Sequence, residues 1–310
     1  MHKILRSVLC LCVLGGSASC VSLPYQRLDQ ATLSRTIPIT PPGEPQFEHG
    51  HTNVVIDSIG WAFGIPSKLI LLDRRVDNHH VGLKPEEALR EYLAYNGLAD
   101  VKIRINQYAP QREFRRLVRN KNVAWGWRYS LGILSCLYGT ILPGRLFGGD
   151  NYNPYTDTIS LYSDIPAIGL HEGGHAKDFS GRTLKGTYAF AYMLPVFALY
   201  VESRASSDAI SYLYAQGSAA AEKEAYRILY PAMGTYVGGM FSAGLGPFSP
   251  WYYAGVIPGH ILGRSKAAKV DDVRERRFPV PVIPEKKETP PIGEAFLTFS
   301  TNNTNRVNNN

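Results

Sequence analysis

Two short runs, Val101-Lys-Ile-Arg-Ile-Asn106 and Tyr155-Thr-Asp-Thr-Ile-Ser-Leu-Tyr162, alternate apolar with polar residues, and each predicts a half-buried β-strand. Helical signals dominate elsewhere. The segment Pro85-Glu-Glu-Ala-Leu-Arg-Glu-Tyr-Leu-Ala-Tyr-Asn-Gly97 has a proline near its start and a glycine stop. Residues 111–120 read as a basic amphipathic helix. After the second strand, Asp164 and Pro166 suit a helix start, with Ile168, Leu170 and Ala176 as apolar positions. Pro195 fits the first turn of another helix. The order helix, strand, helix, strand, helix, helix predicts an α+β domain.

Three stretches interrupt this pattern because they carry no formal charge: 129–144, 186–201 and 228–263. The first two, about 16 residues each, fall short of the roughly 20 needed to span a bilayer, so they are expected as buried core helices. The third contains Gly234, Gly238 and Gly239 and is broken by Pro231, Pro247, Pro250 and Pro258. Its small-residue spacing resembles close helix packing in lipid, and its prolines suit a re-entrant or surface-lying segment better than one clean span. Residues 228–263 are therefore expected to contact a membrane, with the basic residues from Arg264 onward as a flank at its surface.

The ends extend this reading. Lys3 and Arg6, the apolar run Val8 to Leu14 and the small residues up to Cys20 have the layout of a signal peptide, 1–20. Ser17-Ala-Ser-Cys20 resembles a bacterial lipobox. That resemblance implies lipidation of Cys20 and a lipid-anchored position in the cell envelope, facing the periplasm or exterior. Residues 21–45, rich in Pro, Thr and Ser, read as a tether, 46–227 as the domain, and 264–310 as a disordered tail. With Cys10 and Cys12 inside the signal, Cys20 and Cys136 offer neither a disulfide framework nor a thiolate metal site. The net charge of +7 is spread along the chain without aromatic interleaving, which argues against a nucleic-acid partner and for an anionic membrane surface.

The candidate chemistry lies in His171-Glu-Gly-Gly-His175. Residues four apart on a helix point the same way, so two neutral imidazoles face one point and can hold a divalent metal, with Glu172 beside the open position. The metal would acidify a bound water, and Glu172 would take its proton as it attacks a carbonyl. Gly173 and Gly174 cost the helix about 2 kcal/mol relative to alanine, which points to close approach by another backbone.

H-E-x-x-H on a helix resembles the zincin metallopeptidases. That resemblance implies a small α+β core whose edge strand holds an extended peptide or protein substrate, with one Zn2+ as cofactor. A glutamate on the following helix resembles the gluzincin branch. Glu202 is the expected third ligand: it emerges from an uncharged stretch, about two turns after Pro195, on a helix whose Ala205, Ser206 and Ser207 permit close packing. Asp208, Asp178 and His260 remain rivals, and a salt bridge from Glu202 to Arg204 is the bland alternative. In gluzincins a downstream acid supports a liganding histidine; here that implies Asp208, although a spacing of four falls on Ser206. His260 or Tyr155 is open as an oxyanion stabiliser. The expected function is a zinc-dependent peptidase of the cell envelope; the alternative is a non-catalytic envelope lipoprotein, scaffolding or membrane-inserting.

Overall fold

The computed structural model describes residues 25–241 and 250–273. The signal peptide, Cys20 and the tail beyond Val273 lie outside the described residues. The helices, in chain order, are α1 Gln30–Ser34, α2 Val54–Phe63, α3 Ile65–Leu71, α4 Leu83–Asn96, α5 Pro110–Arg119, α6 Ile133–Ile141, α7 Gly144–Phe147, α8 Pro166–Ser180, α9 Lys185–Tyr192, α10 Pro195–Gln216, α11 Ala219–Phe241, α12 Pro250–Ala254 and α13 Val256–Ala268. A helical turn at Trp125–Trp127 and a π-helical stretch, Arg128–Gly132, lead into α6. The strands are β1 Phe47–His49, β2 Lys102–Ile105, β3 Asn151–Asn153 and β4 Thr158–Leu161.

The fold is α+β, as expected. One four-stranded sheet has the order β1-β2-β4-β3, with β3 antiparallel to β4 and the other pairs parallel. The alternation of β2 and β4 places Ile103, Ile105, Ile159 and Leu161 in one core with Leu89, Tyr92 and Leu93 of α4 and Leu170 and Ala176 of α8. The polar positions of β2 do not face water. Lys102 and Arg104 are buried, and Arg104 is paired with Glu48 of β1 and Glu113 of α5, each at 2.6 Å. Buried charges of opposite sign satisfy each other there.

The second expected strand is shorter and differently placed. Residues 154–157 form a turn with Asp157 at φ 53°, so β3 and β4 make a hairpin. The strand entering the H-E-x-x-H helix, β4, is therefore interior, and β3 is the edge. Pro166 starts α8 as read from the sequence, but Asp164 does not cap it; its carboxylate accepts the Gly82 N–H at 2.9 Å. α4 ends at Gly97, in the left-handed region at φ 71°.

Other expectations are corrected. The segment read as a tether docks onto the domain from Tyr25. Tyr25 bonds to Asn96, Ile39 is buried, and Asp100 accepts the N–H groups of Ile39 and Thr40 at 2.6 and 2.7 Å. The change in composition at 227/228 falls inside α11, whose Ile228 and Leu229 belong to the core, and Arg264 to Ala268 continue α13. Residues 129–144 and 186–201 are buried on one side only: Cys136, Ala189 and Val201 join a second apolar cluster, but the other side faces out. Leu134, Tyr138 and Ile141, like Phe190, Met193 and Val196, are exposed.

The paired glycines of α8 meet two different neighbours. A Cβ on Gly174 would lie 2.9 Å from the Ala205 carbonyl oxygen of α10, and one on Gly173 would lie 2.8 Å from the Tyr92 ring. Helix packing thus accounts for both. In Gly174→Ala, α8 and α10 are expected to separate. The variant should lose about 1–3 kcal/mol in chemical denaturation and also bind metal more weakly, because the two helices carry different ligands.

Candidate metal centre

Helical spacing on α8 puts the His171 and His175 rings 4.6 Å apart between centroids, with the two Nε2 atoms 3.1 Å apart. The close crossing at Gly174 and Ala205 brings Glu202 of α10 against them. One carboxylate oxygen lies 3.0 Å from His171 Nε2 and the other 3.4 Å from His175 Nε2. His171, His175 and Glu202 form a group that can bind a metal ion, and it is the one such group among the described residues. The donor set passes a geometric test. Ligands about 2.0–2.1 Å from a tetrahedral ion sit about 3.3 Å from one another; the two Nε2 atoms at 3.1 Å and His171 Nε2 to one Glu202 oxygen at 3.0 Å are near that value, and one donor atom from each of the three residues lies within 4.8 Å of the others.

Glu202 is buried, and its ion-pair partners among the described residues are His171 and His175. Burial alone would raise its pKa; His175 and His171 outweigh that and hold the carboxyl well below the usual range. The Tyr192 hydroxyl donates to its other side. Arg204 instead pairs with Asp178 at 2.9 Å. Asp178 also takes Arg182 at 2.6 Å and the Tyr188 hydroxyl, which removes it as a ligand.

The support for His171 differs from the expected one. Its Nδ1 lies 3.2 Å from Ser206 Oγ, the position four residues after Glu202. Asp208 reaches neither imidazole. Its carboxylate is held by Lys177 Nζ at 2.6 Å and accepts from the Tyr92 hydroxyl at 2.5 Å, deeper along α8. The Nδ1 of His175 is buried without a hydrogen-bond partner. His260 is remote from the centre, with its Nε2 at 2.8 Å from the Ile70 carbonyl, and Tyr155 is packed in a separate apolar cluster.

Glu172 is buried next to the triad, near the backbone N–H of Tyr152 in β3, which favours its ionised form. Burial pushes its carboxyl up to about 8; His171 opposes that, and the Glu202 and Asp150 carboxylates add to it. A cleft of about 170 Å³ opens on these groups, lined by His171, Glu172, Glu202, Asp77, Asp150 and Tyr236 among others. Asp150 follows Gly148 and Gly149, both at positive φ. Its carboxylate accepts the N–H groups of Tyr162 and Ser163, and burial followed by the Asp77 charge lifts its pKa. The Tyr236 phenol is raised by burial and by the charges of Glu202 and Glu172, so it stays protonated at neutral pH. Tyr192, Tyr236 and Asp150 escaped the sequence reading, since each is brought in by a separate loop or helix.

Comparison with protein-family models, curated proteins and solved structures finds no match for this chain.

Two measurements probe this geometry. Ser206→Ala is expected to weaken binding of a divalent metal ion about tenfold by freeing the His171 ring, whereas Asp208→Asn should lower stability and leave metal affinity unchanged. Isothermal titration and thermal melts separate the two effects. The second concerns pH. In the metal-free chain Glu172 holds its proton up to about 8 against an ordinary value of 4.5, so the folded state binds the extra proton between those limits. Stability then falls as pH rises through that window, by on the order of a few kcal/mol. In metal-free Glu172→Gln, the stability difference between pH 5 and pH 8 should shrink.

Proposed function

We propose that this chain is a zinc-dependent peptidase of the cell envelope, lipid-anchored through Cys20. The observation that carries the reading is the convergence of two imidazoles and a carboxylate on one point, with a second buried carboxylate opening into the same cleft. Two nitrogens and one oxygen are a donor set that suits zinc and leaves one position for substrate chemistry. When bound, zinc supplies a Lewis acid that polarises a carbonyl and acidifies water.

The remaining work falls to the chain. Glu172 takes the proton of the attacking water and later hands it to the leaving amine; a carboxyl whose pKa is lifted toward neutrality suits both transfers. Ser206 keeps the His171 ring oriented. Tyr192 anchors Glu202, and Tyr236 presents a neutral phenol to the cleft. The unpaired side of β3 offers an extended peptide a row of backbone partners beside Glu172.

The test uses a library of unstructured peptides incubated with the zinc-loaded protein and read by mass spectrometry. Wild type should cut peptide bonds. Glu172→Gln should lose about 10²–10⁴-fold in rate while retaining one zinc per chain. Equal cleavage by the variant, or less than about half an equivalent of zinc on purified wild type, would count decisively against the reading.

A further inference from the structure

Helices α2 and α3 meet at Gly64 with a bend of 49°. Between Val54 and Leu71 their only charged residues are Asp57 and Lys68. Both point inward. Asp57 is paired with Arg145 at 2.8 Å and accepts from Asn106 at 3.1 Å, and Lys68 Nζ donates to the carbonyls of Trp61 and Asp77 at 3.0 Å each. The outer face is left to apolar side chains: Val54 is 82 % exposed, Leu69 67 %, and Val55, Ile59 and Phe63 are also exposed. A helix pair on a water-facing surface shows the reverse arrangement, with charges outward and apolar groups inward.

The apolar surface continues on both sides. Phe63 packs against Phe147 at 5.2 Å, beside exposed Ile141 and Leu142. At the other end, His260 of α13 holds the Ile70 carbonyl, and the same helix exposes Ile257 and Ile261. The surface also frames the cleft. Ser67 and Leu71 of α3 line it, and Met193, Leu194 and Val196 are exposed just after Tyr192, the residue that bonds Glu202. Exposed Arg74 follows the end of α3 and exposed Arg264 lies one turn after Ile261 on α13, within a chain of net charge +7.

We propose that this face docks onto the headgroup–acyl boundary of an anionic lipid bilayer, with α2–α3 lying in the interface plane and the cleft opening beside it. The docking does not depend on catalysis; it adds to the peptidase reading that substrates are membrane-proximal chain segments. Three observations select a bilayer. The outward apolar groups are stripped of charge, as a hydrocarbon boundary requires, and the flanking arginines complement anionic headgroups. An 18-residue bent pair reaches about 27 Å, short of the roughly 30 Å hydrocarbon core, so it lies along the surface. A second copy related by a twofold axis would set like-charged rims against each other.

The experiment uses the chain from Val21 onward, so that neither the apolar run of the signal peptide nor an acyl anchor on Cys20 contributes, and flotation with phosphatidylglycerol–phosphatidylethanolamine vesicles. The parent is expected to float, and Ile59→Asp/Leu69→Asp to lose at least tenfold in partitioning, with circular dichroism and zinc content unchanged. Val55→Asp, on the same exposed face of α2, supplies a second variant and should also weaken flotation. A parent that stays in solution, or variants that float equally, overturns the proposal. So does a parent dimer that the variants dissociate without altering vesicle binding. Cleavage of soluble peptides, measured on the same samples, reports separately on the peptidase reading.

Discussion

The candidate metal centre depends on one contact between two backbones. At Gly174 and Ala205, α8 and α10 come close enough that a single added carbon would touch a carbonyl oxygen. His171 and His175 lie on one of these helices and Glu202 on the other, so the spacing of three donor atoms is set where no donor resides. Two mid-helix glycines cost about 2 kcal/mol in propensity. That cost is offset by packing, since Gly173 receives Tyr92 and Gly174 receives α10. The same device recurs between α11 and α13, where a Cβ on Gly259 or Gly263 would meet the carbonyl oxygens of Tyr230 and Tyr226 at 2.6 and 2.3 Å.

Charge is handled by the same economy of space. Glu202 loses its hydration on burial and regains partners in two imidazoles and a phenol. On the far face of the sheet, Glu48 is held below the ordinary carboxylate range: burial opposes ionisation there, but Lys102, Arg104 and Arg112 prevail. Asp208 follows this rule too. Lys177 needs a counter-charge inside the protein, and Asp208 supplies it. This is why the acid six residues after Glu202 is unavailable to the histidines.

Local signals read well from the sequence. Pro166, the strand alternation and the left-handed stop at Gly97 each act within a few residues, and α8, β2 and α4 lie close to where those signals place them. The triad was legible for a related reason: helical spacing fixes two donors, and an uncharged stretch isolates the third. What failed was non-local. Alternation in β2 predicts a wet polar face, but α5 covers it, and the buried ions pair across the sheet. The uncharged stretches 129–144 and 186–201 imply burial, yet side chains such as Ile141 and Val196 remain exposed, because composition reports what a segment tolerates and not what surrounds it. Ser206 was within reach, being one helical turn past Glu202. Tyr192 was not, since its approach depends on the break between α9 and α10.

The Tyr152 N–H, which favours ionised Glu172, sets that carboxylate beside the edge of the sheet. Tyr152 is the middle residue of the outermost strand, in register with Ile159 of its neighbour. In the proposed reaction the carboxylate that transfers the proton would thus stand at a fixed rung of the ladder. If the proposed function holds, a polypeptide laid alongside that ladder would be counted off from the rung, and backbone register would select the bond presented to Glu172 before a side chain is read.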